Sequence, residues 1–310
     1  MPTPLLTNRQ LGPDVARANL LTNGGFEIFQ RSGTITVSAG SNNSISADHW
    51  QTSVMGGSTT LAASKETSVV GTGSLASLKL VATFDGTNIA FLRHWMKAGE
   101  GNQVIGRQFS AAIDVYASVT NAVNIRLASD GTGSQDLRTA RNTLANTWQR
   151  LTLTITTPSN ATYIIFDVEV NVSCTAYVDN ATLVVGSQPS NYVPMHPTDE
   201  LLRCLRYYET LTGNAYQLIA HNFTTTNSQV PWQFKVHKAM TPTVTVQNVT
   251  AISLLNPNGG SLIPLTAAAP QSSTLSSADL QTTVASGLVA ASASAVLLGS
   301  NGLIAAEANP

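Results

Sequence analysis

Apolar and polar residues alternate along much of the chain between Asn19 and about Gly186. That is the period of a strand with one buried face. In ASLKLVATF, Leu78, Leu80 and Ala82 share a face. FSAAIDVYASV groups Phe109, Ile113 and Val115, and NAVNIRLAS groups Val123, Ile125 and Leu127. WQRLTLTITTP sets Leu151, Leu153 and Ile155 against Thr152, Thr154 and Thr156; ATYIIFDVEV and TAYVDNATLVV follow. Turn signals separate these runs at Asp85-Gly86, Asp130-Gly131 and Pro158-Ser159-Asn160. Short strands in this number, with no helices between them, predict an antiparallel sandwich.

GSQPSNYVPMHP, Gly186 to Pro197, breaks the pattern with prolines and reads as a linker. After it, TDELLRCLRYYETL predicts a helix from Thr198 to Leu211 that ends at Gly213. Thr198 caps it, Asp199 and Glu200 fill the first turn, and Leu201, Leu205 and Tyr208 share a face. The remainder is β again. VPWQFKV alternates Trp232, Phe234 and Val236, TPTVTVQNV alternates Val244 and Val246, and NGLIAAEANP reads as a closing strand. Asn256 to Ser286 has few large apolar residues and reads as a long loop or flat polar region, easier to order against partner subunits than alone. Met1 to Ala18 reads as an extended arm.

Composition narrows the class. The chain has 310 residues, enough for two domains. Only 11% are charged, against about 25% in an average soluble chain. Ser, Thr, Asn, Ala and Gly take their place, as on extended β surfaces and assembled shells. An apolar content of 43% with a net charge of −1 argues against disorder. With no basic excess, nucleic acid is not favoured as a partner. Cys174 and Cys204 lack metal-type spacing and are too few for a disulfide framework, so they read as buried thiols. Met1 to Asn19 has no signal-peptide pattern, and no run approaches the ~18 apolar residues of a spanning helix. The expectation is a protein made in a cytoplasm, without membrane insertion.

Candidate chemistry is sparse. Asp114, Asp167 and Glu169 are the carboxylates a glycosidase would pair, yet they sit in alternating strands at solvent-facing positions. The sequence contains no Gly-x-Ser-x-Gly elbow, no His-Glu-x-x-His and no phosphate loop. The chain therefore reads as non-enzymatic. A sugar site needs exposed aromatic faces with amides or carboxylates beside them. Trp148, at a strand start, reads as core. Trp95 in FLRHWMKAGEGN, flanked by Arg93 and His94, is the candidate ligand-binding residue; packing under a loop or against a neighbouring subunit is the other reading. Arg206, Tyr207, Tyr208 and Glu209 form a second cluster. Tyr and Arg enrich interface cores, so the cluster reads as a subunit interface, with an intramolecular clasp as the alternative.

Several phrases carry a family resemblance. NLLTNGGFE at Asn19–Glu27 and AYVDNATLVVG at Ala176–Gly186, with GSLASLKL and NTWQRLTLTITTP between them, resemble jelly-roll carbohydrate-binding modules. ELLRCLRYYET resembles a phrase of tailed-bacteriophage structural proteins, where it follows such a module after a Pro-rich joint. KAMTPTVTV, AAEANP, the Gln30-Arg31 pair and ADHW at Ala47–Trp50 are similar to further phrases of that group.

The resemblance implies an all-β chain with four parts: a docking arm over 1–18, a jelly-roll module over 19–187, a Pro-rich linker over 188–197 and an oligomerising C-terminal β domain over 198–310 with one short helix. It implies a virion structural protein, foremost a tail fibre or appendage subunit that contacts the host surface. A capsid decoration or head-fibre protein is the alternative, and a polysaccharide depolymerase a more distant one. Implied partners are two further copies in a homotrimer, other virion proteins through the arm, and a host-surface glycan. The resemblance also implies a structural Ca2+ between the opening and closing strands, with Glu27 and Asp179 as carboxylate ligands and carbonyls near Gly24 beside them. On the residues alone, both are equally polar positions bonded to loop amides. Gly24 and Gly25 provide a turn with positive φ or a close backbone approach.

Overall fold

The computed structural model describes residues 19–309 except 32, 39–43, 58, 85–87, 98–104 and 257–259. The expected arm over Met1–Ala18 lies outside the described residues. The chain divides into two compact units, Met1–Glu200 and Leu201–Pro310.

The first unit is an antiparallel β-sandwich. One sheet has the order β1 (Ile35–Ser38), β4 (Thr60–Glu66), β5 (Ser77–Thr83), β12 (Cys174–Val185), β7 (Gln108–Ala117), β10 (Gln149–Thr156). The other has the order β2 (Ser44–Ile45), β3 (Gln51–Met55), β6 (Ile89–Lys97), β11 (Tyr163–Val170), β8 (Val123–Ser129), β9 (Asp136–Arg138). The alternating apolar positions of the sequence are the inward faces. Leu78, Leu80, Phe109, Ile113, Val115, Ile125 and Leu127 are fully buried in one core with Leu92, Ile164, Phe166 and Trp50. Full burial of one such side chain is worth about 1.5–3 kcal/mol.

The opening phrase is a turn, where the alternation of Phe26 and Ile28 with Glu27 and Phe29 predicts a strand. Asn23 and Phe26 take positive φ (56° and 51°), so the left-handed positions belong to them and not to the glycines. The glycines serve close approach instead. A Cβ on Gly24 would stand 2.3 Å from the carbonyl oxygen of Ala181, and one on Gly25 would stand 2.5 Å from the Tyr192 hydroxyl. Phe26 then drops fully buried onto Trp50, ring centroids 4.9 Å apart. The Gln30-Arg31 pair is clipped to ADHW: Gln30 Nε2 donates to Asp48 Oδ2 at 2.6 Å.

The short helix α1 (Pro197–Leu205) begins and ends earlier than its sequence suggests. Proline fits the first helical position, and His196, not Thr198, is the capping residue: its Nδ1 accepts the Thr198 N–H at 3.3 Å. Tyr208 to Thr212 leave the helical pattern to form a strand, because they find a pairing partner in the last strand of the chain.

In the second unit, β13 (Tyr208–Thr212), β21 (Leu303–Glu307) and β16 (Thr243–Gln247) form a three-stranded sheet with the closing strand in the centre. A closed six-stranded barrel follows the order β14 (Ala215–Asn222), β15 (Asn227–Gln233), β19 (Ser277–Val284), β18 (Leu262–Ser273), β17 (Ile252–Leu255), β20 (Ser292–Leu298). The tract read as loop, Asn256 to Ser286, is thus mostly the β18–β19 hairpin. Its small residues hid it: among the described residues of the tract, only Leu265, Ala278, Leu280, Thr282 and Val284 turn fully inward. Barrel closure pairs both strands within the chain, β18 with β17 and β19, and β19 with β15. The interior is filled, leaving a cavity of about 10 Å3 beside Val230, Leu280 and Val296, about the least that admits one water.

Candidate functional site

Strand register builds a polar face on the outside of the second sheet. Gln51 stands opposite Arg93, Arg93 opposite Asp167, Asp167 opposite Arg126 and Arg126 opposite Arg138. Paired side chains on one face lie within reach of each other: Asp167 has a guanidinium on either side, and the like-charged Arg126 and Arg138 share Asp136. Arg93 Nε and Nη2 donate to the two Asp167 oxygens at 2.7 and 2.9 Å. Arg126 Nη1 donates to Asp167 at 2.8 Å, and its Nε and Nη2 grip Asp136 at 2.7 and 3.0 Å. Arg138 Nε and Asn124 Nδ2 close on Glu169 at 2.9 and 2.8 Å. Arg126 beside Asp136 holds that carboxyl below the usual carboxylate range.

Asp167 and Glu169 are 1% and 4% exposed, so their expected place on a solvated face is corrected. Burial of a carboxylate is tolerated here because guanidinium forks satisfy its oxygens. With these oxygens engaged, the pair is poorly placed for acid–base work on a substrate.

Trp95 borders this ladder. Its indole N–H donates to Gln51 Oε1 at 2.9 Å, and Tyr163 meets it edge-on at 5.2 Å. The Arg93 guanidinium lies 5.2 Å and the Lys97 amine 5.7 Å from its ring centre. The ring is half-buried, fixed in orientation and surrounded by hydrogen-bonding groups. Such an arrangement stacks on a flat C–H face and bonds hydroxyls around it.

Of the expected ligand-binding residues, the structure brings together Arg93 and Trp95. His94 points the other way, since successive strand residues face opposite sides. It is buried against His49 and Trp50, and its Nε2 accepts the Thr22 N–H at 3.1 Å. Trp148 is corrected in the opposite sense. It shares the parity of Arg150 and Thr152, lies half-buried on the outside of the first sheet and packs on Tyr116. Gln51, Tyr163 and Arg126 were missed, because only register across strands assembles them.

The expected calcium ligands are placed differently. Asp179 is fully buried, and its oxygens accept the Gly71 N–H at 2.8 Å and the Asn180 N–H at 2.7 Å. Burial pushes its carboxyl up to about 6. Glu27 is half-buried in the opening turn, and the Gly24 carbonyl accepts the Ala181 N–H at 2.8 Å. A calcium site gathers bare oxygens, whereas the Asp179 oxygens and the Gly24 carbonyl already accept N–H donors. Among the described residues, no three His, Cys, Asp or Glu gather to hold a metal. The residues do not fit a calcium ion; Asp179 is bonded to loop amides.

In the second cluster, Tyr207, Tyr208 and Glu209 are buried within the second unit, and Arg206 is exposed. As a surface of four residues the cluster is corrected to an internal clasp. Glu209 pairs with Lys238 and accepts the Lys235 N–H. Both cysteines are buried and outside any disulfide.

No family model and no curated protein sequence matches the chain. Three solved structures to which it is similar are as follows. The C-terminal family 22 carbohydrate-binding module of Clostridium thermocellum Xyn10B is 15% identical, covers 56% of this chain and 98% of its own, and has a TM-score of 0.37. The family 11 carbohydrate-binding module of the same organism is 12% identical over 51% and 99%, with a TM-score of 0.33. The enzymatically active domain of tailspike protein 4 of bacteriophage CBA120 is 15% identical over 46% and 21%, with a TM-score of 0.34. This chain thus spans about a fifth of that tailspike domain.

Proposed function

We propose that the chain is a non-enzymatic structural subunit of a tailed-phage virion that contacts a host-surface glycan through the outward face of its second sheet. The observation that carries this reading is the fixed Trp95–Tyr163 pair beside Gln51 and the Arg93–Asp167 fork. Aromatic stacking supplies affinity for the sugar ring, and the amide and guanidinium groups select its hydroxyls. Each contact is weak, and several subunits on one particle raise the apparent affinity by avidity.

The reading includes assembly into a homotrimer fixed to other virion proteins. The second unit supports packing between copies. Beyond Gly213 its charged side chains are Lys235, Lys238, Asp279 and Glu307 alone. Tyr216, Ile219 and Phe223 stand more than half exposed on and just beyond β14. Interface cores lack charge and favour aromatics in this way.

Two measurements test the proposal. Immunogold electron microscopy of intact virions, with antibody raised against the full chain, is expected to label the tail. Label spread over the head replaces host contact with shell decoration. Binding of the recombinant chain to host cells is expected to fall with Trp95→Ala; unchanged binding removes this face from the reading.

A further inference from the structure

The first sheet also carries an aromatic row on its outward face. Lys79 of β5 stands opposite Tyr177 of β12, and Tyr177 stands opposite Tyr116 of β7. Gln149 of β10 pairs with Val115, so Trp148, one residue earlier, meets Tyr116. Ring centroids are 5.6 Å apart between Tyr177 and Tyr116 and 5.8 Å apart between Tyr116 and Trp148. The Lys79 amine caps the row 5.9 Å from the Tyr177 ring. All three rings are half-buried.

The polar tips of this row are unused. The two phenol hydroxyls and the Trp148 indole N–H hydrogen-bond to no other described residue. The indoles of Trp50 and Trp95, by contrast, each have an acceptor. A row of rings whose hydrogen-bonding tips stay open suits a ligand with both C–H faces and hydroxyls. Beside the row, Asp114 is already taken by Arg150 Nη1 and Asn180 Nδ2, each at 2.9 Å. Lys79 is the sole ionic group in the row itself, so nothing there is arranged for a multiply charged ligand.

We propose that Trp148, Tyr116 and Tyr177 form a second carbohydrate-binding platform for a neutral polysaccharide chain lying across the strands. The ring spacing is comparable with one pyranose unit; the planes stand at 78° between Tyr177 and Tyr116 and at 59° between Tyr116 and Trp148, so a chain along the row meets ring faces and hydroxyl-bearing ring edges in turn. The ligand class rests on the glycan reading above, but the residues do not: this row lies on the opposite sheet from Trp95. One subunit thereby holds two glycan segments at once.

The test is affinity electrophoresis of the full chain through gels containing soluble β-glucan, xylan, galactan or mannan. Trp95→Ala leaves the row as the binding surface, and Trp148→Ala leaves the other face. Each single variant is expected to stay retarded by the polysaccharide that retards the parent, about tenfold more weakly, as for loss of one anchoring aromatic. The double variant is expected to run free. If Trp148→Ala migrates like the parent and Trp95→Ala runs free, the second platform is overturned and the first stands. If Trp148→Ala runs free while Trp95→Ala is unaffected, the row stands and the Trp95 site falls. If no polysaccharide retards the parent, both fall. Thermal unfolding checks each variant, and Trp148→Phe, which keeps a ring, is expected to restore part of the retardation.

Discussion

The Lys238 amine lies 2.5 Å from a Glu209 carboxylate oxygen, and neither side chain exposes any surface. The pair joins the Tyr-Tyr-Glu phrase to the opening of KAMTPTVTV. Lys238 also donates to the Leu205 carbonyl at 2.6 Å and stands 4.7 Å from the Phe234 ring centre. Burial pushes the Lys238 amine down, against the pull of Glu209.

Removing one partner leaves a buried charge without its counter-charge. Lys238→Met is therefore expected to cost about 3–5 kcal/mol, and Glu209→Gln a similar amount. Replacing both together, Glu209→Leu with Lys238→Met, is expected to recover most of that loss. Urea unfolding followed by tryptophan fluorescence measures all three; additive losses in the double variant would refute direct coupling.

The Arg–Asp ladder separates buried from exposed pairs. Asp167→Ala takes the Arg93 guanidinium's carboxylate away and removes one of the two that hold Arg126, and is expected to destabilise by about 3 kcal/mol. Asp136 is half exposed, so Asp136→Ala is expected to cost no more than about 1 kcal/mol. Equal losses in thermal unfolding would contradict the ranking.

Asp179 makes stability depend on pH. Its folded value of about 6 stands above the ordinary carboxylate value of about 3.9. Between these values the folded state binds more protons than the unfolded chain. The contribution is full below about 4 and is lost as pH rises through about 6. Asp179→Asn cannot ionise, so its stability relative to the parent is expected to improve by about 2 kcal/mol from pH 4 to pH 7. A constant difference across that range would show that the carboxyl does not titrate there.

Gly24 and Gly25 are expected to differ on substitution. Gly24→Ala drives a Cβ into backbone, which has nowhere to go, and is expected to cost more than about 3 kcal/mol. Gly25→Ala meets the Tyr192 ring, so it is expected to be relieved by Tyr192→Ala in the same chain. Denaturation midpoints of Gly24→Ala, Gly25→Ala, Tyr192→Ala and the double variant of the last two decide it.

The sandwich was legible because its strands keep strict alternation: Leu78, Ile113, Ile125 and Leu151 reveal their faces one strand at a time. The barrel hairpin was not, because Ala267 to Ala269 and Ser272 to Ser273 pair by backbone and leave no apolar signature. The helix was drawn too long because Tyr207 to Leu211 suit either periodicity until β21 is there to pair with them. Trp95 and Arg93 were found from one segment. Gln51, Tyr163 and Arg126 come from three others, and no local pattern joins them.

The start and the end of the sandwich are fastened together. Asn19 bonds to Ala181 and Leu183 through its side chain, the Leu20 N–H donates to the Leu183 carbonyl at 2.9 Å, and the Ala181 N–H donates to Gly24. A tensile load applied at Asn19 and Val185 is therefore borne across this short seam. The strands between, with the outward faces of both sheets, hang outside the line of force. A module stitched shut at its neck can be pulled from its two ends while its outer faces keep their shape.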